Sequence, residues 1–125
     1  MLVSEQEILE LKEFIFQLNA IENGVVIVEG KRDSNALKNL GYTGKVLEFH
    51  RFTGMINFTD SVAKYERLII LFDRDRKGRQ LTEKTIQLLQ RRTKIDLTFK
   101  RRLQEITQGK IKFIEQLVCY ELYLA

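Results

Sequence analysis

Ile8, Leu11, Ile15 and Leu18 recur at helical spacing, and Ser4 followed by Glu7 makes a capping box. Together they predict an amphipathic helix from about Glu5 to Asn19. After Gly24 the pattern changes to Val25-Val26-Ile27-Val28, a β-branched run suited to a strand covered on both faces of a parallel sheet. That run ends at Glu29-Gly30. A short helix is expected from Asp33 or Ser34 as N-cap to Leu40, with Gly41 as its stop. Val46 to Phe49 reads as a second strand, Thr53-Gly54 as a loop and Ile56 to Tyr65 as another short helix. Leu68-Ile69-Ile70-Leu71-Phe72 is a second fully apolar run, ends in Asp73, and is expected to be the central buried strand. A helix from Arg79 or Gln80 to about Arg92, a last strand from Lys94 to Leu97, and helices around Thr98–Thr107 and Lys112–Leu124 complete the pattern.

Strands alternating with helices at this spacing predict an α/β sandwich, with a mainly parallel, roughly four-stranded sheet flanked by helices. The chain has 125 residues and no Pro, and no Ser/Gly-rich linker divides it, so one domain over 1–125 is expected, with its core at about 24–97. Hydrophobic residues at 44% and charged residues at 30% exclude a disordered or low-complexity chain. No apolar run reaches membrane-spanning length, and the first residues, rich in carboxylates, do not resemble a signal peptide. Cys119 is a lone cysteine in an apolar stretch and reads as a buried, reduced thiol, which fits a cytoplasmic protein. The apolar C-terminal stretch reads as a packed helix or, with the N-terminal helix, as the interface of a homodimer or larger complex.

Lys and Arg number 21 against 17 Asp and Glu, a mild excess of +4 that favours polyanions. Its distribution says more than its size. Arg74, Arg76, Lys77 and Arg79 surround an acidic pair, and Arg91, Arg92, Lys94, Lys100, Arg101 and Arg102 follow as either a solvated face or a phosphate-tracking patch.

In an open parallel sheet, functional groups collect at the carboxyl ends of the strands. Here the first apolar run ends in Glu29 and the central one in Asp73-Arg74-Asp75, so three carboxylates are expected at one edge. Hard oxygen donors of this kind suit Mg²⁺, which keeps several waters and commonly takes one or two carboxylates plus substrate phosphates. An aspartate after a strand also caps turns and helices, a role that accounts for Asp33 and for one of Asp73 or Asp75 but not for the whole set. Lys31 and Arg32, together with Arg76, Lys77 and Arg79, are the candidate phosphate contacts. Arg74 is expected to point away from the metal if strand geometry continues. Gly30 and Gly78 mark sharp loop geometry or close backbone approach. His50 falls on the expected site edge and reads as structural or solvated.

Val28-Glu29-Gly30-Lys31-Arg32-Asp33, then Thr53-Gly54, then Phe72-Asp73-Arg74-Asp75-Arg76-Lys77-Gly78 resemble the successive motifs of the Toprim domain. That family includes the catalytic domains of topoisomerases and bacterial-type primases, the 5S ribosomal RNA maturation nuclease and small stand-alone proteins, which this chain resembles most in size. The resemblance implies that Asp73 and Asp75 hold Mg²⁺, with Mn²⁺ as a substitute. It implies that Glu29 acts as general acid or base or joins the metal, and that the partner is RNA or DNA. The chain departs from the topoisomerases at Arg79, where they usually carry an acid. With Tyr42, Tyr65, Tyr120 and Tyr123 read as core or interface aromatics, neither a complete topoisomerase nor a complete primase is expected. The leading expectation is a Mg²⁺-dependent nuclease or nucleotidyl-transfer enzyme. A non-catalytic nucleic-acid-binding or assembly module using Arg91, Arg92, Arg101 and Arg102 is the second. A phosphatase or receiver-like phosphoacceptor is the third, and Lys77 counts against it.

Overall fold

A computed structural model describes residues 3–124. Four parallel strands, β1 (Gly24–Val28), β2 (Val46–Glu48), β3 (Arg67–Ile70) and β4 (Lys94–Asp96), lie in the order β2-β1-β3-β4. The helices are α1 (Glu5–Asn19), α2 (Lys31–Asn39), α3 (Met55–Val62), α4 (Arg76–Leu89), α5 (Thr98–Ile106) and the short α6 (Glu121–Leu124). Because side chains alternate along a strand, the apolar run of β1 serves two cores at once. Val26 and Val28 join Leu11, Phe14, Leu37, Leu103 and Leu117 on one face, while Val25 and Ile27 join Phe58, Val62 and Leu89 on the other. β3 divides in the same way, with Ile69 on the first face and Leu68 and Ile70 on the second. The two apolar runs are therefore the two central strands.

Several boundaries differ from those the pattern suggests. α2 begins at Lys31, with Gly30 as N-cap and Asp33 inside the first turn, because the Asp33 carboxylate reaches back to the Gly30 N–H at 3.1 Å. α4 begins at Arg76 for a similar reason. Asp75 caps it, accepting from the Gly78 N–H at 2.7 Å. β2 stops at Glu48, and Phe49–Arg51 turns into a single 3₁₀ turn. α3 ends at Val62 rather than at Tyr65.

The C-terminal segment departs most from the expected helix over Lys112–Leu124. Ile114–Tyr120 is 3₁₀ and only Glu121–Leu124 is α-helical. The tighter 3₁₀ turn of three residues brings Ile114, Leu117 and Tyr120 onto one buried line and turns Val118 and Cys119 outward. Cys119 is accordingly exposed, not buried. Leu122 and Tyr123 also face outward, while Tyr42 and Tyr120 lie in the core.

The N-terminal capping box forms by half. Ser4 Oγ accepts from the Glu7 N–H at 3.0 Å, but the Glu7 carboxylate turns inward instead of back to the cap. There it accepts from Lys110 Nζ at 2.7 Å and from the Tyr120 hydroxyl at 2.9 Å, pinning α1 to the far end of the chain. Burial alone would push this carboxyl up, but the bonds from Lys110 and Tyr120 outweigh it and hold the group below its ordinary range. A lowered carboxyl contributes stability above its unfolded-state value, and that contribution is lost as pH falls through the folded one. Tyr120→Phe is expected to cost about 2 kcal/mol, the worth of a buried hydrogen bond to a charged acceptor. Urea unfolding at neutral pH measures this, and a variant as stable as the parent would refute it.

Candidate metal and phosphate site

β1 and β3 are parallel and adjacent, with Ile27 in register with Ile70, so the residues that follow them emerge at the same edge. Leu71 continues this pairing through its N–H to Ile27 O at 2.9 Å, which carries Asp73 alongside Glu29. Glu29, only 5% exposed, accepts the Asp73 N–H through Oε2 at 2.8 Å. Asp73 Oδ1 accepts the Ile114 N–H at 2.9 Å. Each carboxylate is thus oriented by a backbone amide while keeping lone pairs for another ligand. Asp75 spends an oxygen on its cap but stays close enough to add its charge to that acting on Glu29.

This crowding has an electrostatic signature. Burial, with the side chain and charge of Asp73 and then the charge of Asp75, pushes Glu29 up to about 7, against the lowering effect of the Asp73 N–H. Burial and the charge of Asp73 likewise raise Asp33, which shows that this acid belongs to the same field. A cleft of about 320 Å³ opens over the pair, lined by Glu29, Lys31, Arg32, Asp33, His50 and Asp73, among others.

Among the described residues, no three or more Asp, Glu, His or Cys side chains are grouped so as to hold a metal ion by themselves. A transition-metal site of the tetrahedral type therefore does not fit these residues. Mg²⁺ does, because a close carboxylate pair in a surplus of negative charge is the donor set an ion that retains water takes up.

The structure separates the basic residues the sequence grouped together. Lys31 and Arg32 are exposed at the cleft, with Arg32 lying 3.8 Å from Glu115. Arg76, Lys77 and Arg79 stand exposed on the first turn of α4, where the helix dipole disfavours cations and favours anions. Arg74 turns away to the C-terminal segment, its Nη1 donating to Ile111 O at 3.3 Å and its N–H to Lys112 O at 2.8 Å. The 91–102 stretch divides between two edges. α4 runs from the acidic edge to the opposite one, so Arg91, Arg92 and Lys94 lie at the amino ends of the strands, while Lys100 and Arg101 return with the start of α5. Arg92 lies 3.6 Å from Asp60, and the Arg102 guanidinium sits over the rings of Phe14 and Phe99.

Lys100 is the residue a sequence reading passes over, because nothing local distinguishes it from Arg101 and Arg102. It is half-buried and within electrostatic reach of Asp73 and Glu29. Burial holds its ammonium below the ordinary range, helped by Arg74 and Arg79 and opposed by the two acids. The Ile114 N–H gives no sequence signal either. His50 reaches the site chiefly as backbone, its N–H donating to Glu29 O at 2.9 Å, while its Nδ1 lies 3.2 Å from where a Cβ on Gly30 would sit.

Fold, acidic edge and motif order define a single class: the chain belongs to the Toprim family, whose profile matches residues 24–115. Members of this family generally bind Mg²⁺ and are associated with metal-dependent chemistry on nucleic acids. Among its relatives, a UPF0292 protein of Thermococcus sibiricus is 37% identical, covering 96% of this chain and 87% of the relative. A UPF0292 protein of Methanosarcina acetivorans is 36% identical over 93% of this chain and 78% of its own length. A solved structure from Aquifex aeolicus matches with a TM-score of 0.67 at 29% identity, covering 85% of this chain and 96% of that one. The match reaches beyond the 24–97 core expected from the motifs and takes in Ile114 and Glu115. No helix among the described residues is long and apolar enough to cross a membrane.

Proposed function

We propose that the chain is a Mg²⁺-dependent nuclease or nucleotidyl-transfer enzyme acting on RNA or DNA phosphodiesters. The observation that carries this reading is the contact between Glu29 and Asp73, residues 44 positions apart, in which the Glu29 carboxylate accepts the Asp73 N–H and the two acids share one sheet edge. Asp73 and Asp75 hold the metal, with Glu29 as a further ligand or as the residue that handles the proton. Mg²⁺, when bound, supplies Lewis-acid polarisation of a phosphoryl oxygen and neutralises the carboxylates and the phosphate together.

The protein's own groups do the rest. Glu29, raised near neutrality in the metal-free protein by burial and the neighbouring aspartates, is placed to take a proton from an attacking hydroxyl or water, or to give one to a leaving oxygen. Lys31 and Arg32 at the cleft and Arg76, Lys77 and Arg79 on α4 bind the flanking phosphates as point charges and forks. A binding-only role built on Arg91, Arg92, Arg101 and Arg102 finds less support, since these side chains do not share one face.

Labelled single- and double-stranded RNA and DNA, incubated with the protein and Mg²⁺ or Mn²⁺, test the reading directly. Cleavage or nucleotide transfer is expected with either ion and is expected to stop on chelation and in Asp73→Asn. Turnover that persists in Asp73→Asn, or the lack of turnover on every substrate with both ions, would sink the proposal.

A further inference from the structure

We propose that Lys100 is a substrate-contacting residue of this centre, its ammonium gripping a non-bridging oxygen of a nucleic-acid phosphate held against the Glu29–Asp73 pair. The inference rests on the phosphodiester reading above and adds a residue that the motifs do not mark.

Its position follows from topology. β4 pairs in parallel with β3, with Asp96 in register with Ile69, so the chain leaving β4 emerges at the edge where Asp73 stands. Asp96 then fixes the start of α5, accepting from the Thr98 N–H at 2.8 Å and the Thr98 hydroxyl at 2.6 Å, while Arg67 Nη2 anchors its other oxygen at 2.6 Å. Lys100 sits on this fixed first turn.

Its degree of burial is unusual for a lysine. Among the described lysines only Lys100 and Lys110 are half-buried, the others being exposed. Lys110 is tied to Glu7, whereas Lys100 forms no hydrogen bond or ion pair among the described residues. Its nitrogen keeps contact with solvent, since no buried side-chain nitrogen among the described residues is left without a partner, yet its surroundings are dry enough to hold it below its ordinary range. A lysine that served only to balance the acids would close onto them. This one stays short of Asp73 and Glu29 while remaining in their field, alongside Arg74 and Arg79. An anion arriving between the cation and the acids, carrying its own metal counter-charge, would give the ammonium a partner in place of solvent. Lys31, Arg32, Arg76, Lys77 and Arg79, by contrast, are exposed, and Arg32 already lies beside Glu115.

The test uses the whole protein and short fluorescein-labelled single-stranded RNA and DNA, with Ca²⁺ in place of Mg²⁺ to suppress turnover, and reads anisotropy across a salt series. Lys100→Ala is expected to bind about tenfold more weakly, the worth of one charged hydrogen bond. The slope of log affinity against log salt should fall by about 0.7, as one lost phosphate contact on a single strand requires. Lys100→Arg should keep the slope, and Lys12→Ala, on the exposed side of α1, should match the parent. Mn²⁺ affinity, followed by electron paramagnetic resonance, should be at least the parent's in Lys100→Ala, because no ligand has been removed. Parental binding and slope in Lys100→Ala, or a loss of Mn²⁺ affinity, would overturn the assignment. If that happens while Asp73→Asn still abolishes turnover, the phosphodiester reading survives and only Lys100 falls. A parent protein that binds neither RNA nor DNA removes both.

Discussion

Gly78→Ala is expected to destabilise the protein by roughly 3 to 4 kcal/mol, even though alanine is the better helix former by about 1 kcal/mol. Gly78 is buried on the first turn of α4, and an added Cβ would lie 1.9 Å from Asp73 O and 2.7 Å from its carbonyl carbon. The obstacle is backbone, so no side chain can rotate away. Either α4 retreats from β3 or the Asp73 peptide moves, and in both cases the Asp75 cap on the Gly78 N–H and the Asp73 contact with Glu29 are disturbed. Thermal and urea unfolding should show the loss, and metal-dependent turnover should fall with it. A variant with the parent's melting temperature would mean that the close approach is not a constraint of the folded protein.

Glu29→Gln is expected to reduce turnover by about 10²- to 10⁴-fold, the usual range for removing a proton-transfer group, and to stabilise the metal-free protein at the same time. The sign follows from the raised carboxyl. Glu29 titrates near 7 in the folded protein, against an ordinary value of 4.5, so the fold prefers it protonated. Stability from this preference is fully present below about 4.5 and is lost as pH rises through about 7. Glutamine keeps an oxygen for the Asp73 N–H but carries no charge, so at pH 8 the variant should melt above the parent and lose the downward slope between pH 5 and 8. Asp73→Asn, which removes a metal ligand, should abolish turnover, and Mg²⁺ should raise the parent's melting temperature more than that of either variant. A Glu29→Gln protein that is both less stable and fully active would contradict the assignment on both counts.

Much of this architecture was legible because burial on two faces leaves an unmistakable pattern. Val25 to Val28 and Leu68 to Phe72 announced the central strands, and the acids placed after them fell at the same edge as the parallel arrangement required. The bland reading of the aspartates proved partly true: Asp75 caps α4, and Asp33 bonds the Gly30 N–H. The features whose structure departs from the sequence pattern share a cause. Helical spacing over 112–124 cannot be told from a 3₁₀ line of Ile114, Leu117 and Tyr120 until the packing surface is known, and the exposure of Cys119 follows from that choice. Glu7 suited a capping box locally, but Lys110 and Tyr120, far along the chain, claimed its carboxylate. Lys100 was hidden because its distinction is partial burial in the field of Asp73 and Glu29, a property of the folded surroundings and not of its neighbours in sequence.

The bonds that orient the acids also set when the site can exist during folding. Glu29 bonds the amide of Asp73 across 44 positions, and Asp73 bonds that of Ile114 across another 41. Two long loops must close before both acids are fixed, and the entropy of closing them is recovered only when β1, β3 and the 3₁₀ segment have met. The centre is therefore complete only when all three segments have met, and pairing of β1 with β3 alone fixes Glu29 against Asp73 but leaves the Asp73 carboxylate without its Ile114 partner.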